Sequence, residues 1–551
     1  MSASRKKMLR REENKAAMTE RQQQEMKEAK KLRLYTAIFA VAMIAVIAFV
    51  IVSSVLTSGI IERNTTALTV NDEKISVVEL NYFYIDSVNN FMNTYGSYAT
   101  LMGLDTSLSL GEQYMDEEAG QTWADYFLEA ATGSAKRCYA IYQDAKANGY
   151  QLPEDVQETI ESTITSLDGY ATLYGFADAD AYIKAMYGAG SNEKSFIDYL
   201  TVQYTADNYY NDTMDAISFT AEELAAKDAE NPQYYSSYSY NSYYLNASKF
   251  YEGGTENEDG TVTYTDEEKA AGLAKCKEAA DSLMECTTLA ELDAAIAALE
   301  INADVEGAAT TATVDRAYSS VETNLQEWVT DPARVVGDIA CIENAVTTTA
   351  EHEHTEEEHE HEEVTTVNGY YIVVFNGVNE NKTQLVNVRH ILVPFEGGTT
   401  DSATGVTTYT DEEKAAAQTK AQELLDTFLA GEATEDAFAT LANENSTDTG
   451  SNTNGGLYEN VYPGQMVTNF NDWCFDTSRI AGDTGIVEST YGYHVMYFSS
   501  YSDMTYRDHM ISSDMRSEEI TAWETSLLEG AVMEVLNTSK VDKDLMVSSG
   551  T

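Results

Sequence analysis

The sequence predicts an α+β protein, with a mostly helical N-terminal domain followed by two copies of one smaller domain. Three observations carry this. Helical periodicity dominates from Val77 to about Ala229. The run TYTDEEKAA occurs twice, from Thr263 and from Thr408, and the pairs Trp328/Trp473, Arg334/Arg479 and Gly337/Gly482 follow at one constant spacing. Each copy then closes on a similar apolar strand, GYYIVVF from Gly369 and GYHVMYF from Gly492. Gly-rich hairpins, helices and flanking strands in that order make an α+β pattern. The copies span 231–381 and 382–500, the helical domain 64–230, and a C-terminal helix in 501–551 is expected to pack back on the helical domain.

The elements follow from local chemistry. Residues 1–33 hold 11 Lys/Arg and five Glu, a basic segment that reads as a short helix. Leu34–Ile61 contains no charged residue, and LYTAIFAVAMIAVIAFVIVSSVL within it is long enough for a bilayer at about 1.5 Å per residue. A transmembrane helix over 34–57 is expected, with a cytoplasmic N-terminus and the bulk of the chain outside the cell membrane. The rival, a cleaved signal peptide, calls for a shorter apolar run and a small-residue cleavage site. Next, ALTVNDEKISVVEL reads as strand, Asn-Asp turn and a second strand entering a helix. Trp123–Ala130 and Ala135–Asn148 are amphipathic, Gly149 is placed to stop the helix, and Pro153 opens another.

Composition narrows the function. The 551 residues carry 34 basic and 91 acidic side chains, net −57, which excludes the basic footprint that nucleic acid requires. Five cysteines without close pairing give neither a disulfide framework nor a zinc ribbon. Chemistry concentrates in the second copy, where NVRHILVPF and YGYHVMYF each carry a central histidine, His390 and His494, on either side of NGGLYENVYPGQMVTNFNDWCF. The first copy has Tyr371 where the second has His494, no histidine in its opening strand, and no counterpart of NGGLYENVYPGQM. A histidine on an alternating strand is often a satisfied core residue, and a loop Asp such as Asp448 is often only a turn-former. Their joint order raises the functional reading. Cys474, in the apolar run WCF, reads as a buried thiol rather than a nucleophile.

At RHILV (Arg389–Val393), STDTGS (Ser446–Ser451), NGGL (Asn454–Leu457), GQMVTNF (Gly464–Phe470) and GDTGIVESTYGYHVMY (Gly482–Tyr497), the second copy resembles the parvulin family of peptidyl-prolyl cis/trans isomerases. The whole arrangement looks like the PrsA/SurA type of exported foldase. The resemblance implies two parvulin-like domains, the first degenerate, on a chaperone-like helical domain. It also implies catalytic roles for His390, Asp448, Ser489 and His494, and a proline floor from Leu457, Met466 and Phe470. It further implies isomerase and holding activity toward unfolded or partly folded exported polypeptides, with no required cofactor. The alternative is a non-catalytic peptide-binding chaperone or scaffold. Two departures bear on the pocket: Leu457-Tyr458 replaces the family's Asp-Leu-Gly after the glycine pair, and Tyr491 stands at a second hydroxyl position.

One motif lies outside that scheme. EHEHTEEEHEHEE, Glu351–Glu363, holds His352, His354, His359 and His361, four of the seven histidines. It reads either as an adaptable, weak divalent-metal site or as a solvated acidic loop inserted in the first copy.

Overall fold

In the computed structural model, residues 2–16, 31, 38–50, 53, 58–96, 98–257, 259–349, 363–402 and 404–543 are described. The chain forms two compact units, Met1–Ile217 with Ser517–Thr551, and Ser218–Arg516.

In the first unit, α1 (Ala3–Ala16) covers the described part of the basic segment. Residues 38–50 are helical and exposed along their whole length. Among the described residues no helix is long and apolar enough to cross a membrane, and much of the expected span lies outside them. The strand–turn–strand expectation corresponds to β1 (Thr66–Val70) and β2 (Glu73–Ser76), joined through Asn71 at φ 51°. Ser76 and Glu79 then form a reciprocal cap on α2 (Val77–Tyr95), satisfying orphan amides at its start. The two amphipathic pieces after Trp123 are one continuous helix, α3 (Trp123–Ala147), since nothing between them breaks the period. Helices α4 (Glu154–Tyr174), α5 (Ala179–Tyr187) and α6 (Glu193–Ala216) complete a core rich in aromatic edge contacts, such as Phe91 against Trp123 at 5.2 Å.

The second unit begins with α7 (Ala221–Glu230), earlier than the expected boundary at 231. The reason is packing: Leu224 sits with Tyr235 and Ile511, and Asp228 takes a two-pronged ion pair from buried Arg507. Arg507 also donates to Ser236 Oγ and to the carbonyls of Pro232 and Glu380, tying four segments together.

The repeat is realised as two matching sheets. The first copy contains β3 (Ser237–Asn246), α8 (Asp266–Leu283), α9 (Leu289–Ala297), β4 (Thr311–Ala317), α10 (Thr323–Val329), β5 (Ile339–Thr349) and β6 (Glu363–Asn379), with sheet order β4-β3-β6-β5. The second contains β7 (Gln384–Pro394), α11 (Asp411–Ala430), α12 (Glu435–Asn445), β8 (Leu457–Val461), α13 (Thr468–Cys474), β9 (Thr484–Glu488) and β10 (Gly492–Thr505), with order β8-β7-β10-β9. All pairings are antiparallel. β10 runs five residues past the expected end at Ser500, because Gln384 still pairs with Thr505.

Identical motifs do identical work in both copies. Thr265 and Thr410 cap their helices with Glu268 and Glu413, and each glutamate also accepts the N–H of the second hairpin glycine, Gly254 or Gly398. A Cβ on Gly397 (φ +88°) would lie 2.3 Å from Glu413 Oε1, which is why the Gly-Gly pair and the Thr-Asp-Glu-Glu run recur together. Arg334 stacks on Trp328 and Arg479 on Trp473, at 4.7 and 4.3 Å from the ring centroids. The first copy does have a strand in the place of β8, namely β4; the stretch it lacks is the loop leading in.

The chain returns through α14 (Tyr506–Gly530) and β11 (Met533–Val535), which pairs with β1 in a three-stranded sheet, β11-β1-β2. The C-terminal region therefore supplies a strand as well as a helix.

Candidate active site

Strand alternation selects the site. On β7, Ile391 and Val393 face the core shared with α11 and α12, whereas Val386, Val388 and His390 face α13. On β10, His494 precedes Met496 and Phe498 on that same α13 face. Register pairs His390 with Met496 and Leu392 with His494, making the histidines diagonal neighbours. Both are almost fully buried, and their Nδ1 atoms lie 3.0 Å apart.

The rest of the network fixes the direction of every proton. His390 Nε2 is 2.9 Å from Asp448 Oδ2, and Ser489 Oγ is 2.7 Å from His494 Nε2. A carboxylate only accepts, so His390 donates through Nε2, and as a neutral imidazole it then accepts at Nδ1. His494 then donates through Nδ1 and accepts at Nε2 from the Ser489 hydroxyl. The chain Ser489→His494→His390→Asp448 is satisfied with both rings neutral. Burial, followed by the neighbouring His390, lowers the His494 pKa to about 4, in keeping with that assignment.

Asp448 is held well below the ordinary carboxylate range, chiefly by the His390 hydrogen bond and also by Ser451. Its Oδ2 accepts from Ser451 Oγ at 2.5 Å and Tyr458 OH at 3.0 Å as well. The loop carrying it is anchored to β7: Ser446 Oγ accepts the Leu392 N–H, and Thr447 N–H donates to the Leu392 carbonyl. Gly456 lets β8 approach; a Cβ there would sit 2.2 Å from the His390 carbonyl oxygen, and φ is +71°.

Beneath the network, the Phe470 ring stands edge-on to both imidazoles, at 5.3 and 5.4 Å, and is itself buried. Met466 is half-buried in the same cluster. Leu457 does not join them. It is in register with Arg389, whose side chain reaches Glu435 on α12, so Leu457 lies on the opposite sheet face. Tyr458, one residue later, faces the site, and the expected proline floor loses one member. Ser451 and Tyr458, both of which donate to Asp448, were not among the site residues picked from the sequence; a serine three positions beyond Asp448 was the available signal. Cys474 is fully buried and its thiol is pushed up to about 12, leaving no accessible nucleophile there.

A groove of about 680 Å³ adjoins Ser489, lined by Phe395, Tyr409, Lys414, Val467 and Asn469 among others. Among the described residues Lys414 is its only cation, and it is paired with Glu488 at 3.1 Å. Among the described residues no cluster of metal-ligating side chains occurs; His352, His354, His359 and His361 lie outside them.

Residues 370–499 match the model of the PPIC-type PPIASE domain, starting on β6 of the first copy and covering the second. Foldase protein PrsA 1 of Listeria innocua serovar 6a is 34% identical over 113 residues, 19% of this chain and 38% of that protein. The chain thus spans well under half the length of this curated relative. The structure of the Bacillus anthracis peptidylprolyl isomerase PrsA is 18% identical, covering 27% of this chain and 59% of that one, with a TM-score of 0.17. A structure of the SurA-like chaperones PEB4 and Cj1289 of Campylobacter jejuni is 22% identical over 28% of this chain and 56% of that one, TM-score 0.16. With scores this low, the placement of the domain rests on the sequence matches.

Proposed function

From the PPIC-type PPIASE domain that this chain carries over 370–499, we propose that the second copy is a working peptidyl-prolyl cis/trans isomerase. The observation that supports it most is the buried Ser489–His494–His390–Asp448 chain standing on Phe470. Rotation about the prolyl bond breaks no covalent bond; its barrier of about 18–20 kcal/mol is lost amide resonance. An enzyme lowers it by binding the twisted amide better than either planar form. Met466 and Phe470 supply apolar surface for the proline ring. The Asp448 carboxylate disfavours the polarised, planar carbonyl by like charge. The neutral histidines hold Asp448 and Ser489 in place instead of carrying protons.

In this reading the helical unit holds unfolded or partly folded exported polypeptides. The apolar run 34–57, flanked by basic residues, anchors the chain in the cell membrane with its bulk outside. No cofactor takes part. The first copy keeps the frame without the chemistry: Tyr371 stands at the His494 position and Ser242, opposite Val373, at the His390 position. Peptide binding without catalysis is the role left to it.

The test is exchange NMR on an Ala-Pro peptide with the full chain and with Asp448→Ala combined with His494→Ala. The wild-type chain is expected to accelerate exchange and the folded double variant to lose that acceleration. Equal rates would refute the catalytic reading.

A further inference from the structure

A second groove lies in the first unit, between α2, α3 and α6, far along the sequence from the prolyl site. It encloses about 740 Å³. We propose that it docks basic side chains set within otherwise apolar stretches of unfolded polypeptide. This extends the holding half of the reading above and rests on it, independently of isomerisation.

The argument starts from what lines the groove. Phe91 and Phe127 form a buried floor, 5.4 Å apart and edge-to-face, and Tyr95 and Tyr126 stand beside them. Two carboxylates, Asp86 of α2 and Asp207 of α6, open into the same space and are exposed to solvent there. Surrounding protein nevertheless desolvates both and raises their pKa values. The Tyr199 hydroxyl donates to Asp86, fixing its orientation.

The charge balance is what selects the occupant. Among the described residues Arg137 is the groove's one cation, and Glu524 takes it through two bonds of 2.6 and 3.0 Å while its guanidinium stacks on Tyr210. Among the described residues neither Asp86 nor Asp207 is in a direct ion pair, although Arg137 attracts Asp207 from beyond pairing distance. Two partly desolvated carboxylates among aromatic faces favour a cation, through direct attraction and through the ring quadrupoles. The exposed apolar side chains that follow α2, Tyr98 at 68% and Leu101 at 82% exposure, extend the surface for apolar flanking residues. A chain of net charge −57 also draws basic segments from a distance.

The experiment uses the full chain and a short, proline-free, fluorescein-labelled peptide of Lys, Leu and Ser, beside its counterpart with Glu for Lys. Anisotropy titration is expected to show binding of the Lys peptide only, weakened by salt. Asp86→Asn with Asp207→Asn is expected to weaken it about tenfold or more. Ser134→Arg is a second variant: from an exposed helix position lining the groove it places a guanidinium in the same space, and a similar loss is expected. Equal binding of both peptides, or undiminished binding in both folded variants, would overturn the groove while leaving the holding role intact. Binding of neither peptide would overturn both.

Discussion

Acid should loosen the second copy's sheet selectively. His494 is buried and neutral, with its pKa lowered to about 4. In the unfolded chain an imidazole titrates near 6.5, so between those values the unfolded state binds more protons and stability falls as pH falls. From pH 7 to 4.5 the linkage amounts to about 2.4 kcal/mol, roughly sixtyfold in opening equilibrium. The structural cause is visible in the network. His494 Nε2 accepts from Ser489, and a proton there forces that donor to turn away. Asp448 contributes outside this window, since its depressed pKa confers stability that is lost only once pH falls below the ordinary carboxylate value. Amide hydrogen exchange with mass spectrometry, corrected for intrinsic rates, reads the effect on the full chain. Peptides from β7 and β10 should lose about sixtyfold protection relative to those from β3 and β6, where Tyr371 and Ser242 replace the histidines. General neutralisation of this acidic chain acts on both sheets, so the first copy serves as reference. Equal loss in both sheets, or none in β10, would refute the reasoning.

Two further outcomes follow from hydrogen-bond accounting. Tyr458→Phe removes one donor from Asp448 Oδ2, so its carboxyl pKa should climb toward the ordinary range and the copy should lose about 1 kcal/mol; NMR titration of the carboxyl carbon and urea unfolding read the two. Arg507→Met leaves Asp228 without its cation and should cost about 3 kcal/mol in urea unfolding of the second unit, much of it regained when Asp228→Leu is added.

The architecture was legible wherever one residue type carries a mechanism. Thr-Asp-Glu-Glu caps a helix by itself, and its second occurrence marked the second copy. The two histidines were legible because strand alternation places both on one face. Leu457 was misplaced for the same reason in reverse: parity on a short strand decides the face, and β7 and β8 shift register between Val386 and Val388, which no local pattern announces. Ser451 and Tyr458 reach Asp448 through loop conformation and cross-strand pairing, both tertiary facts. The boundary near 217 instead of 230 likewise depends on Asp228 meeting Arg507, 279 positions apart.

The pairing of β11 with β1 constrains when the helical unit can be finished. β1 lies between β2 and β11, and Asn537 caps it further by donating to the Thr66 carbonyl. Synthesis supplies β1 before both sheet-bearing copies and β11 after them. During emergence of the chain, one edge of β1 therefore stays open until β11 arrives, while the intervening copies already contain every strand of their own sheets. Closure of the helical unit therefore waits on a strand that the chain places after both copies.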